Sequence, residues 1–165
     1  MLAASFRSSA QDSVLHRYIQ IKKDPIFFID SINVTRISIA NYKPNDIASV
    51  SVYKDTNAIR LIGPQGSAGV VFIETKSFAR SRYWKFFKGK SAEYYKALPN
   101  PESDSTVVYI LNGKVLQENF EGNLSGINDN TFIDLTVIDK DRLKKDFDID
   151  DKKYGILIKT QVKEK

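Results

Sequence analysis

Three short apolar runs occur twice in this chain, in the same order and about 80 residues apart, the mark of a supersecondary unit used more than once. The first set is Ile26-Phe27-Phe28-Ile29-Asp30-Ser31, Ile47-Ala48-Ser49-Val50-Ser51-Val52-Tyr53 and Val70-Val71-Phe72-Ile73-Glu74-Thr75-Lys76. The second is Thr106-Val107-Val108-Tyr109-Ile110-Leu111-Asn112-Gly113, Phe132-Ile133-Asp134-Leu135-Thr136-Val137-Ile138 and Gly155-Ile156-Leu157-Ile158-Lys159-Thr160. In the middle pair the match is positional: Asp134 falls on Ser49, Leu135 on Val50 and Val137 on Val52. All six runs have strand length and are rich in β-branched and aromatic residues; Ile47–Tyr53 alternates strictly, which puts Val50 and Val52 on one face. Chance can produce one such match, but the ordered triplet predicts a duplicated β-rich module.

The spaces between the runs complete the first module. Lys43-Pro44-Asn45-Asp46 makes a turn or a single helical turn. Asp55 is placed to cap a short helix through Asn57, Ala58, Ile59, Leu61 and Ile62, which Gly63-Pro64 ends. Gly66-Ser67-Ala68-Gly69 then returns the chain into the third strand, so residues 25–76 read strand, turn, strand, short helix, strand. Residues 77–101 form a basic, aromatic connector in which Tyr83, Phe87 and Tyr94 keep helical spacing; Gly89 breaks the run and Ser91 caps a second short helix. Residues 102–165 hold the second module, and residues 1–24 an N-terminal segment in which 14–22 read as a lead-in strand or a helical turn.

The run from Pro44 to Lys76 resembles the plug domain of TonB-dependent outer-membrane receptors, especially the glycan-importing branch. The residues that carry the likeness are Asn45-Asp46-Ile47, Ser49-Val50, Val52, Lys54-Asp55, Ala58, Gly63, Gly66, Gly69-Val70-Val71, Ile73 and Thr75-Lys76. The family's plug has this order of strand, helix, Gly-rich loop and strand, ending in Gly-Val-x-x-Ile-x-Thr-Lys. Gly63, Gly66 and Gly69 are read as structural, since a helix that reverses directly into a strand needs positive φ or close backbone approach. The second copy matches more loosely and lacks the Gly-rich turn, but Asn112-Gly113-Lys114 is similar to the Asp-Gly-Lys turn after the family's first strand, which copy one has as Asp30-Ser31. The resemblance implies an α+β fold of two tandem plug-like units, each a small mixed sheet with one or two short helices, joined by the helical connector. A receptor's plug sits inside its own barrel, whereas this chain ends about 90 residues after the match. The fold is therefore expected to carry over while receptor transport does not, which leaves a periplasmic interaction module touching an envelope protein.

Composition bounds the chemistry. The 165 residues are 42 % hydrophobic and 27 % charged, which is ordinary for a folded domain, and no stretch approaches the roughly 18 apolar residues of a membrane-spanning helix. A plug-bearing pore of 22 strands needs about 220 residues in strands alone, more than the chain has. With no cysteine and one histidine, His16, neither a thiolate nucleophile nor a His-based metal cluster can be assembled. Gly63-x-x-Gly66-x-x-Gly69 is not a dinucleotide fingerprint, because here the helix precedes the loop and the strand follows it. Asp146, Asp148, Asp150 and Asp151 have calcium-loop spacing, but an EF-hand needs Gly and Glu where this chain has Asp151 and Leu157. A solvated acidic turn partnered by Lys144, Lys145, Lys152 and Lys153 is the plainer reading, and no cofactor, metal or catalytic residue is expected.

One segment has functional promise. From Lys76 to Lys96 there are seven basic residues against one acid, so this stretch carries +6 while the chain as a whole is +5. Arg80, Arg82, Lys85 and Lys88, interleaved with Tyr83, Trp84 and Phe87, suit an anionic surface or a glycan, with nucleic acid as a further reading that needs a cytoplasmic location. The competing reading is that the aromatic face covers a sheet while the Lys and Arg stems reach water. Met1-Leu2-Ala3-Ala4-Ser5-Phe6 ahead of Ser8-Ser9-Ala10-Gln11 has the look of a truncated signal peptide cleaved after Ala10, which favours the periplasm.

Overall fold

The computed structural model describes residues 24–161. The chain is mixed α and β, with two four-stranded mixed sheets in two compact units, and it passes from one to the other between Thr75 and Lys76. The signal-like residues, the lead-in segment at 14–22 and His16 lie outside the described residues. Among the described residues no helix is long and apolar enough to cross a membrane.

The first unit runs β1 (Ile26–Ile29), β2 (Ile32–Val34), the helical turn α1 (Arg36–Ile39), a 3-10 turn at Pro44–Asp46, β3 (Ile47–Tyr53), α2 (Asp55–Ile62), a 3-10 turn at Pro64–Ala68 and β4 (Val70–Thr75). Its sheet order is β2-β1-β4-β3, with β1 and β4 parallel at the centre and antiparallel neighbours outside. The second unit runs α3 (Lys76–Lys90), α4 (Ala92–Ala97), a 3-10 turn at Pro101–Thr106, β5 (Val107–Leu111), β6 (Lys114–Val115), α5 (Glu121–Ser125), β7 (Phe132–Asp139), α6 (Lys140–Phe147) and β8 (Tyr154–Thr160). Its sheet order is β6-β5-β8-β7, the same pattern of parallel centre and antiparallel flanks.

The equivalence extends to single residues. Phe27, Val71 and Val52 form one cross-strand row and Ile29, Ile73 and Val50 the next; in the second sheet the same rows are Tyr109, Ile156 and Val137, then Leu111, Ile158 and Leu135. Each outer strand carries a bulge at the same place, between Ile47 and Ser49 and between Phe132 and Asp134. Each first strand also ends in the same clamp. Thr75 donates its backbone N–H to Asp30 Oδ1 at 2.8 Å and its hydroxyl to Oδ2 at 2.7 Å. In the second unit the Thr160 N–H donates to Asn112 Oδ1, and Asn112 Nδ2 donates to the Thr160 hydroxyl, both at 2.9 Å. Asp30 and Asn112 sit at φ 51° and 50°, the left-handed region that Asx residues tolerate better than other non-glycine types.

Three local expectations are corrected. Asp55 makes no side-chain cap; Lys54 holds the cap position and Asp55 lies in the first turn of α2, where its charge favours the positive helix end. Lys76 begins α3 instead of ending β4, because the ladder with β3 stops at Thr75, whose side chain Asp30 holds. Gly89 does not break α3, which continues to Lys90. The roughly 1 kcal/mol that Gly costs in a helix is small beside the burial of Tyr83 and Phe87 on the same helix.

The segment 77–101 supplies the second unit's core. Tyr83, Phe87, Tyr94 and Leu98 pack with Val107, Tyr109, Leu124, Leu135, Ile156 and Ile158 over one face of the second sheet. Ser91 caps α4 by accepting from the Tyr94 N–H at 3.1 Å. On the other face Ile110 and Ile138 pack with Leu143 of α6. Gly155 allows α6 this close: a Cβ there would lie 2.8 Å from Ile138 Cγ1 and 2.9 Å from Leu143 Cδ1. The equivalent positions of the first unit hold Val70 on the strand and Ala58 on the helix, both fully buried, so the large and small partners are exchanged between the copies.

Candidate functional site

The three loop glycines of the first unit serve the backbone. Gly63 and Gly69 adopt φ 79° and 97°, and a Cβ on Gly66 would meet the Ala58 carbonyl oxygen at 2.6 Å, so the turn lies directly on α2.

On α3 the seven candidate binding residues divide by helical phase. Tyr83 and Phe87, one turn apart, point into the core with Ala79. Trp84 is half-buried; its Nε1–H donates to the Leu98 carbonyl at 2.9 Å and its ring meets Tyr95 edge-on. Lys88 is exposed, with Nζ 4.1 Å from the centre of the Tyr95 ring and 4.8 Å from that of Trp84. Arg82 donates to the Ser125 carbonyl at 3.3 Å, and Lys85 is exposed. The aromatic face thus covers the sheet while the lysine heads reach water.

Arg80 leads to a cluster that sequence reasoning missed. Its Nε donates to Asp104 Oδ2 at 3.1 Å and one terminal nitrogen to Glu121 Oε1 at 3.2 Å. Asp104 comes from the Pro101–Thr106 turn and Glu121 from α5, and each is only 6 % exposed. The Tyr83 hydroxyl also donates to Asp104 Oδ2, and the Tyr94 and Tyr109 hydroxyls lie 3.1 Å apart. One oxygen of each acid, Asp104 Oδ1 and Glu121 Oε2, is buried without a hydrogen-bond partner. Beside them is a cavity of 370 Å³ lined by Arg80, Asp104, Tyr109, Phe120, Glu121 and Lys152, with Glu102 and Glu118 also on its wall.

Burial dominates at Asp104 and at the three tyrosines. It pushes the Asp104 carboxyl up from its ordinary value, against the Tyr109 and Tyr83 hydroxyls and Arg80, which favour the charged form. It also pushes the Tyr83, Tyr94 and Tyr109 hydroxyls up, which keeps them neutral donors. A carboxyl with a raised folded-state pKa contributes stability that is complete below the ordinary value of 3.8 and is lost as pH rises through the elevated value. Asp104→Asn is therefore expected to flatten the fall in unfolding free energy between 3.8 and the elevated value, as measured by denaturant titrations across the acidic range. An unchanged slope would remove Asp104 as its source.

The acidic run near the C-terminus is internally paired. Lys144 Nζ lies 2.6 Å from Asp148 and 3.1 Å from Asp150, and Arg142 pairs with Asp146 at 3.2 Å. Lys144 holds the Asp148 carboxyl below the usual carboxylate range. Among the described residues no group of three ligating side chains that could hold a metal ion is present.

No protein-family model matches the chain, and no solved structure does. A TonB-dependent receptor of Formosa agariphila is 38 % identical over 55 residues, covering 33 % of this chain and 6 % of that receptor. The chain therefore spans a small fraction of the relative it matches.

Proposed function

We propose that this chain is a non-catalytic, plug-like interaction module of the periplasm that binds an envelope protein. The observation that carries the reading is the 55-residue similarity to a TonB-dependent receptor, in a chain whose strand unit occurs twice with one register. The first unit also presents large apolar side chains to solvent, Ile32, Ile37, Ile59 and Leu61, of which Ile37 is 84 % exposed. Exposed apolar residues of this size suit a protein partner. Pull-down from outer-membrane extract is expected to recover one stoichiometric envelope protein, and Ile37→Asp with Leu61→Asp is expected to reduce recovery at least tenfold at an unchanged melting temperature. Recovery of no envelope protein, or equal recovery by the double variant, would sink this reading.

A second reading, binding of a glycan or anionic surface by the connector, draws on the exposed Lys85 and Lys88 heads. The contacts of Trp84 and Arg82 bear on it, because both side chains are held by backbone carbonyls. Trp84→Ala with Arg82→Ala is expected to destabilise the protein by about 2 kcal/mol or more, read as a lower melting temperature. Loss of glycan or anion binding at an unchanged melting temperature would return the segment to a binding role.

A further inference from the structure

We propose that Asn112 is a site of covalent modification, at which the side-chain amide leaves as ammonia and a carboxylate takes its place. Asn112-Gly113 is the one Asn-Gly pair in the sequence. The two residues form the turn between β5 and β6, flanked by Leu111 and Lys114, which pair with each other. Both are exposed, at φ 50° and 81°, so water and hydroxide reach them. Glycine has no Cβ to obstruct the approach of its own nitrogen, which favours attack on the preceding side-chain carbonyl. In the reaction the Gly113 nitrogen gives its proton to solvent and bonds to Asn112 Cγ, the bond from Cγ to the amide nitrogen breaks, and ammonia departs from the succinimide ring that remains. Water then opens the ring. Opening at Cγ restores the main chain and leaves aspartate, whereas opening at the main-chain carbonyl leaves isoaspartate; either way an amide and a water become a carboxylic acid and ammonia.

The first unit already holds the aspartate form at the equivalent place. Asp30 follows β1 as Asn112 follows β5, and the two backbone N–H groups donate to matching carbonyls, Asp30 to Ile73 at 3.0 Å and Asn112 to Ile158 at 2.9 Å. Thr75 donates both its N–H and its hydroxyl to the two Asp30 oxygens. Thr160 donates its N–H to Asn112 Oδ1 but accepts from Nδ2. Exchange of that nitrogen for oxygen therefore asks only that the Thr160 hydroxyl turn from acceptor to donor, which a hydroxyl does by rotation. The bonds then end on a charged acceptor and strengthen. Before the exchange the same clamp resists it. Attack makes Asn112 Cγ tetrahedral and moves Oδ1 and Nδ2 out of the positions in which Thr160 holds them, so the clamp sets the rate and accepts the product.

The test is peptide mapping by mass spectrometry of the whole folded chain, sampled over time in mildly alkaline buffer. Conversion at Asn112 is expected to run at least about threefold faster than at any other asparagine. Thr160→Val, which keeps the shape of the side chain without its hydroxyl, is expected to speed conversion at Asn112 at least about threefold. Asn112→Asp is expected to melt within about 2 °C of the wild type, and Asn112→Ala at least about 4 °C lower, since alanine makes neither clamp bond. Conversion at Asn112 no faster than at the other asparagines, an unchanged rate in folded Thr160→Val, or an Asn112→Asp protein that melts as low as Asn112→Ala would overturn the assignment. Mapping of the wild-type chain decides the site even where a variant does not fold.

Discussion

Gly155→Val is expected to destabilise the second unit by about 3 kcal/mol, and Leu143→Ala by about 2–5 kcal/mol, yet together they are expected to cost about 1–3 kcal/mol less than their sum. A Cβ at Gly155 has no room, with Leu143 Cδ1 at 2.9 Å and Ile138 Cγ1 at 2.8 Å. Shortening Leu143 removes one of these obstacles and leaves a space that the valine fills. The first unit already holds that combination, Val70 on the strand and Ala58 on the helix. The double variant therefore gives the second unit the valine and alanine of the first, with Ile138 remaining where the first unit has Tyr53. Urea unfolding of the wild type, both single variants and the double variant measures the coupling directly. Strict additivity would mean that the helix and strand of the second unit are not packed as described.

The second large effect belongs to Phe87. Its ring is fully buried, with ring centres of Phe86 and Tyr94 at 5.6 Å, Tyr83 at 6.1 Å and Phe132 at 6.3 Å. Phe87→Ala is expected to cost about 3–5 kcal/mol, which lowers the melting temperature by at least about 10 °C in a unit of this size. Lys88→Ala, on the next position of the same helix, is expected to change stability by less than about 1 kcal/mol, because the side chain is exposed and touches only the exposed Tyr95 ring and the half-buried Trp84 ring. Calorimetry of the two variants separates the covering face of the helix from its solvent face. Similar melting temperatures for both would refute the division.

Much of the architecture was legible because strands announce themselves by period. Val50 with Val52 and Leu135 with Val137 share faces as the alternation requires, and the positions matched across the copies occupy equivalent places in the two sheets; the bulges after Ile47 and Phe132 interrupt the alternation and were not legible. The clamps were within reach of the same alignment, since Asp30 falls on Asn112 and Thr75 on Thr160. β2 and β6 were not legible: three and two residues long, with Ile32 68 % exposed, they carry no hydrophobic pattern and exist only through pairing with β1 and β5. The acidic cluster was invisible for another reason. Arg80 stands 24 residues from Asp104 and 41 from Glu121, in elements that read separately as basic helix, turn and loop. Only the fold brings them together, and a charge count over the connector gives the opposite sign to the cavity it borders.

In each unit the central pair joins β1 to β4, or β5 to β8, the first long strand to the last. The first strand must wait for more than 40 residues to leave the ribosome before its parallel partner exists, so local contacts cannot complete either sheet. Chain growth therefore reaches a foldable state in two steps, one at the end of β4 and one at the end of β8, and a nascent chain stopped short of either exposes an open apolar strand to chaperones and to its neighbours.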